Sequence, residues 1–186
     1  MSSVLSSEVS NLSLSTITSS LYSVEQLITA GAYIMGISFI IKALYSMKAL
    51  AESKTQQSSH GSLKEPLFYL LSGAMLLYLP TAVQIFLNTT FGEGAQILAY
   101  APIDSGSSIL NSLFGQNSTV GAVIALVIQV IGVIAFIRGW VLIARSASQG
   151  QQPGGTGKGL AHVFGGILAM NIVGTLQVVS NTLFGV

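Results

Sequence analysis

The chain has no cysteine and very little charge: 186 residues include seven Lys/Arg, six Asp/Glu and two His. Without cysteine, neither a disulfide nor a thiolate metal site can form. Charged residues make up 7% of the chain, where a soluble domain usually carries about a quarter. A formal net charge of +1 argues against nucleic acid as a partner. What is abundant is apolar: 51% of residues are hydrophobic and the mean hydropathy is positive. Together these point to lipid rather than water as the solvent.

Segment length tests that idea, because about 30 Å of hydrocarbon takes roughly 20 helical residues to cross. The charges leave four uncharged runs: Gln26 to Ile41, Pro66 to Gly92, Ser105 to Ile137 and Gly159 to Val186. Trimming polar ends predicts spans over 26–45, 66–86, 120–141 and 160–180. In lipid every backbone N–H and C=O must be paired within its segment, and isolated runs manage that only as helices. The expected fold is all-α, an integral membrane protein of four transmembrane helices. Met1 to Tyr22 is serine-rich, without Lys or Arg and without a compact apolar stretch. That is not an ordinary signal peptide, so the first apolar run is expected to act as an uncleaved anchor.

Every basic residue lies in or beside two segments. Lys42, Lys48, Lys54 and Lys64 surround the loop between spans one and two; Arg138, Arg145 and Lys158 surround that between spans three and four. The N-terminal segment and residues 87–117 hold Glu8, Glu25, Glu93 and Asp104 and no Lys or Arg. Lys and Arg in short loops stay cytoplasmic, so both termini are predicted to be outside. Lys42 and Arg138 adjoin their apolar runs, which raises the possibility of an intramembrane charge lining a path. Snorkelling at the cytoplasmic boundary, helped by interfacial Tyr45 and Trp140, is favoured because each run is nearly long enough without them.

The two halves repeat at an offset of 93–96 residues. QIFLNTTFG from Gln84 to Gly92 matches QVVSNTLFG from Gln177 to Gly185, and GISFIIK from Gly36 parallels GVIAFIR from Gly132. Gly73 matches Gly166, and Lys64 matches Lys158 after a one-residue gap. The chain therefore reads as two tandem helical hairpins in parallel orientation, unlike the inverted repeats common in transporters. Residues 1–25 form an extracytoplasmic serine-rich segment, 26–92 the first hairpin, 93–119 an outer linker and 120–186 the second hairpin.

No motif points to catalysis, a cofactor or a metal. GGTGKG, Gly154 to Gly159, lacks the leading glycine and the final Ser/Thr of a phosphate-binding loop, and it follows a membrane helix rather than a strand. His60 and His162 lie on the side opposite the outer acids, and Glu52 and Glu65 have no metal-ligand spacing to them. No Asp or Glu falls within a span, which weakens a proton-coupled carrier. The spans do hold small residues that let helices approach: Ala32 with Gly36, Gly121 with Ala125, and the ridge Ala161, Gly165 and Ala169. Gln129 and Asn171 are candidates for hydrogen bonds across helices. Pro80 is expected to kink span two, with Gly174 at nearly the matching place in span four. Val4, Leu5, Val9, Leu12 and Ile17, and Ile103, Ile109, Leu110, Leu113 and Phe114, suit either interfacial helices or a loose tail and linker.

Gly155 to Gly185, GTGKGLAHVFGGILAMNIVGTLQVVSNTLFG, resembles the C-terminal part of the IcmC/DotE family. Those are small inner-membrane components of Dot/Icm type IVB secretion systems. Elsewhere the likeness is one of length, serine-rich N-terminus and span number. The resemblance implies a non-enzymatic structural subunit, in a hetero-oligomeric complex with other membrane subunits, that helps move effector proteins; the parallel repeat suits a ring-shaped complex or a bundle. Topology, though not residues, also resembles the hairpin pilins of such systems. A small stand-alone transporter or channel is the alternative. A tetraspan junction scaffold would use the outer sequons at Asn11, Asn88 and Asn117, but such proteins rely on disulfides that this chain cannot form.

Overall fold

In the computed structural model, residues 2–55, 63–92, 119–148 and 154–184 are described. The linker from 93 to 118 with its apolar residues and Asn117, and the loop containing His60, lie outside them. Among the described residues there are six helices and no strand: α1 (Ser2–Thr55), α2 (Lys64–Leu77), α3 (Leu79–Phe91), α4 (Thr119–Ser146), α5 (Gly155–Met170) and α6 (Ile172–Phe184).

Two helices are long and apolar enough to cross a membrane alone, α1 over Ser19–Glu52 and α4 over Val123–Ser146. The first predicted span is the middle of a 54-residue helix that begins at Ser2, so the serine-rich segment continues the same helix. Its exposed hydroxyls fold back on the chain. Ser19, Ser20 and Ser23 donate to carbonyls three or four residues earlier, as does Ser38 deeper in the apolar stretch. Such back-bonding lets a polar side chain sit on a helix facing lipid.

The other two predicted spans are not single helices. Span two breaks at Tyr78, where α2 and α3 meet at 89°, and span four breaks at Asn171, where α5 and α6 meet at 93°. If each bent pair counts as one span, the number of membrane crossings rises from two to four. The expected kinks at Pro80 and Gly174 are thus displaced by two and three residues toward the N-terminus. Proline removes one N–H and crowds the carbonyl four residues back, so Pro80 disturbs the turn before itself and is tolerated in the first turn of α3. Gly174 makes no bend. It is the third residue of α6, and its N–H donates to Asn171 Oδ1 at 3.1 Å. Asn171 is therefore the N-cap of α6, rather than a bond between helices. Thr175 Oγ1 lies 2.8 Å from the Leu168 carbonyl, satisfying an acceptor that the break leaves open. The two breaks stand 93 residues apart, the register of the sequence repeat.

The chain divides into two compact units. One comprises residues 1–27, 84–133 and 167–186; there Ala125 of α4 packs against Val173 of α6, with Ile172 and Leu176 around them. The other comprises 28–83 and 134–166; there Ala43 of α1, Tyr69 of α2 and Ala144 of α4 form a cluster with Phe39. Only 17% of the most apolar stretch of α1 is buried, against 56% for that of α4.

Candidate functional site

The strongest packing features are two helix crossings inside the second unit. At the first, α1 meets α2 through Gly36 and Gly73. A Cβ on Gly36 would lie 3.0 Å from the Gly73 carbonyl and 2.9 Å from the Leu77 nitrogen. A Cβ on Gly73 would lie 3.0 Å from the Gly36 carbonyl and 2.8 Å from Ile40 Cγ1. At the second, α4 meets α5 through Gly139 and Gly159. A Cβ on Gly139 would meet the Gly159 carbonyl at 2.8 Å and Val163 Cγ2 at 2.6 Å; one on Gly159 would meet the Gly139 carbonyl at 2.9 Å and Ile143 Cγ1 at 2.6 Å. Both are the same reciprocal device. One helix presents Gly-x-x-x-Ile, the other Gly-x-x-x-Leu or Gly-x-x-x-Val, and each glycine admits the other's backbone. Lipid supplies no hydrophobic drive between helices, so this close contact is what holds such a hairpin together.

Of the small residues singled out in the sequence, Ala32, Gly36, Gly121 and Ala125 are buried. Ala161 and Gly165 are exposed and Ala169 half-buried, and nothing lies within 4 Å of a Cβ built on Gly165. At Ala161 and Gly165 that ridge faces away from the described helices. Gly139 and Gly159, which do the packing, escaped the small-x-x-x-small search because their partners four residues on are Ile143 and Val163. Gln129 is buried in α4, and its Oε1 has no partner among the described residues.

Near the loop ends of the same unit runs a chain of polar side chains. Lys42 Nζ donates to Tyr69 Oη at 2.7 Å and lies 4.2 Å from the ring centroid. Tyr69 Oη and Ser148 Oγ are 2.9 Å apart, and Ser148 Oγ donates to Glu65 Oε1 at 3.3 Å. With one proton per hydroxyl, the consistent direction is Lys42 to Tyr69 to Ser148 to Glu65, from cation to anion. Tyr69 is 3% exposed, whereas Lys42 is open to its surroundings. Lys42 therefore reaches the boundary with a partner, which the snorkelling reading lacked. Trp140 is 7% exposed and packs edge-on to Phe136, so its ring is turned into the protein.

Of the remaining topology residues, Lys48, Lys64, Arg138, Arg145 and Lys158 are surface cations. Lys48 pairs with Glu52 at 3.8 Å on an open helix face, an arrangement worth little. Lys64, Arg138, Arg145 and Lys158 are exposed, and Lys54 lies in the last turn of α1. Among the described residues no three His, Asp or Glu side chains gather as metal ligands. Gly154 has φ +96° and immediately precedes α5, so GGTGKG is the entry to a helix. Compared with family models, curated proteins and solved structures, the chain matches none.

Proposed function

We propose that this chain is a non-enzymatic structural subunit of a bacterial inner-membrane type IVB secretion apparatus, bracing the channel through which effector proteins pass. The observation that carries the reading is the repeated glycine crossing, a geometry for holding helices against helices. The likeness of Gly155 to Gly185 to the IcmC/DotE family supplies the apparatus.

The same reading makes each hairpin two crossings, with both termini on the periplasmic side. α2 and α5, of 14 and 16 residues, extend about 21 and 24 Å. α3 and α6, turned across their ends, add a helix width of about 10 Å, which brings each bent pair to the hydrocarbon thickness. No charged residue lies in α3 or α6. Thr89, Thr90 and Thr182 return their hydroxyls to carbonyls four residues back, as suits helices lying at the outer face of the bilayer. Single cysteines at Ser2, Ser107 and Val186 should label from outside and one at Ser58 should not; the reverse pattern overturns the orientation.

Function is tested by purifying the tagged chain in mild detergent and identifying what accompanies it. Other secretion-system membrane subunits are expected. Recovery of the chain alone, together with solute flux through it in liposomes, would replace this reading with a stand-alone transporter or channel.

A further inference from the structure

The two hairpins treat their boundary cations differently. In the repeat register, Lys42 of the first corresponds to Arg138 of the second, and Tyr69 corresponds to His162. Lys42 is occupied within the chain, donating to Tyr69 and through Ser148 reaching Glu65. The second copy has no such sequel. His162 turns its Nδ1 to the Lys158 carbonyl at 2.8 Å in its own helix. Among the described residues, no carboxylate is in ion-pair range of Arg138, Arg145 or Lys158.

The crossing places these groups together. Residues on a helix advance about 100° each, so where two antiparallel helices touch, the residue preceding the contact on each lies on the same side. Arg138 precedes Gly139 and Lys158 precedes Gly159, and both are exposed. Their helices are as close there as backbones allow, so the two cations flank one notch. His162, three residues past Gly159, falls on that side too. Away from the loop, the side continues as exposed Ile134 on α4 and exposed Gly165 on α5, with open space beyond Gly165. Ala144, on the other side of α4, packs against Ala43 and Tyr69. The cationic notch is therefore on the outward side of the hairpin, leading into an apolar bed.

We infer that this side of the second hairpin binds an anionic phospholipid, its phosphate between Arg138 and Lys158 and an acyl chain over Gly165 beside Ile134. Two exposed cations at the boundary, with no carboxylate in ion-pair range among the described residues, match an anionic headgroup, and a bed of low relief below them matches the chain attached to it. A zwitterionic lipid offers the same chain but cancels the charge. The inference rests on the chain sitting in a bilayer and not on which apparatus it serves.

Native mass spectrometry of the full-length protein, loaded with phosphatidylglycerol or with phosphatidylcholine of the same acyl chains, tests it. Phosphatidylglycerol should be retained in preference. R138Q/K158Q should lower that retention by about 25-fold, at about fivefold for each cation lost near a membrane surface. K48Q/K54Q, which removes equal charge at the first hairpin, should leave it unchanged. G165L should weaken retention several-fold with the cations intact. Equal retention of the two lipids, equal loss in K48Q/K54Q, or unchanged retention in R138Q/K158Q or in G165L would overturn the site. If R138Q/K158Q altered copy number and not lipid, the side would hold a second copy of the chain instead. Failure to recover secretion subunits in the co-purification would leave this result untouched.

Discussion

Aligning the two halves of the sequence sets Gly36 opposite Gly132 and Gly73 opposite Gly166, yet the second hairpin closes at Gly139 and Gly159. Both contacts have moved seven residues, about two helical turns, toward the connecting loop. The bends have not moved: Tyr78 and Asn171 keep the register of the repeat. Between the two halves the place where the second helix breaks is kept, whereas the place where the helices touch differs. Tyr69 gives a reason. In the first hairpin its ring and the Lys42 chain fill the loop-proximal space, so close contact waits until Gly36 and Gly73. In the second, glycine stands on both helices near the loop, and the pair closes there at once.

Several measurements would break or sharpen that contrast. The largest effect is expected at the tighter crossing, where G139A forces a methyl into Val163 and the Gly159 carbonyl. Overpacking of this kind costs about 1–3 kcal/mol, and G139A should reach the top of that range. G36A, with contacts a few tenths of an ångström looser, should cost less. Reversible unfolding in mixed micelles would give both values, and a greater loss in G36A would reverse the ranking of the hairpins.

The bends come next, because they match in place but differ in cause. P80A should straighten the first: labels at Leu71 and Ile85, each seven residues from Tyr78, should separate from about 15 to about 21 Å. Labels at Phe164 and Val178, in the matching places around Asn171, should not respond to P80A. They should respond to N171A, which removes the cap at about 1 kcal/mol. Pulsed electron spin resonance reads both distances, and bends indifferent to these substitutions would need another cause.

Y69F should also cost about 1 kcal/mol, since it removes the hydroxyl joining Lys42 to Ser148. H162F, at the matching place in the second hairpin, should shift the unfolding midpoint less. Smallest is G165A, with open space around the new methyl. It should stabilise by a few tenths to about 1 kcal/mol through helix propensity alone. A loss there of the size seen at Gly139 would mean that something covers the ridge.

How much of this could be read from residues alone divides along physical lines. Hydrophobic run length and the position of Lys and Arg are one-dimensional signals, and they locate the apolar stretches within α1, α2, α4 and α5, though not the extension of α1 back to Ser2. Pro80 marks its bend because the steric cause is local. Asn171 gave no such signal, since an asparagine in an apolar run reads equally as a cap or as a bond to a neighbour. The crossing at Gly139 was hidden by Arg138 beside it, which looks like the end of a span rather than its tightest contact. Hydrogen bonds such as Tyr69 to Ser148 join positions that no periodicity links.

That last bond also orders events in time. Tyr69 leaves the ribosome 79 residues ahead of the serine it bonds, which at about 5–20 residues per second is a wait of about 4–16 s. Throughout that interval Lys42, Tyr69 and Glu65 are made but lack the serine that links the tyrosine to the carboxylate. The second hairpin then supplies it, so a truncated product lacking α4 should be distinguishable from the finished protein by this one site.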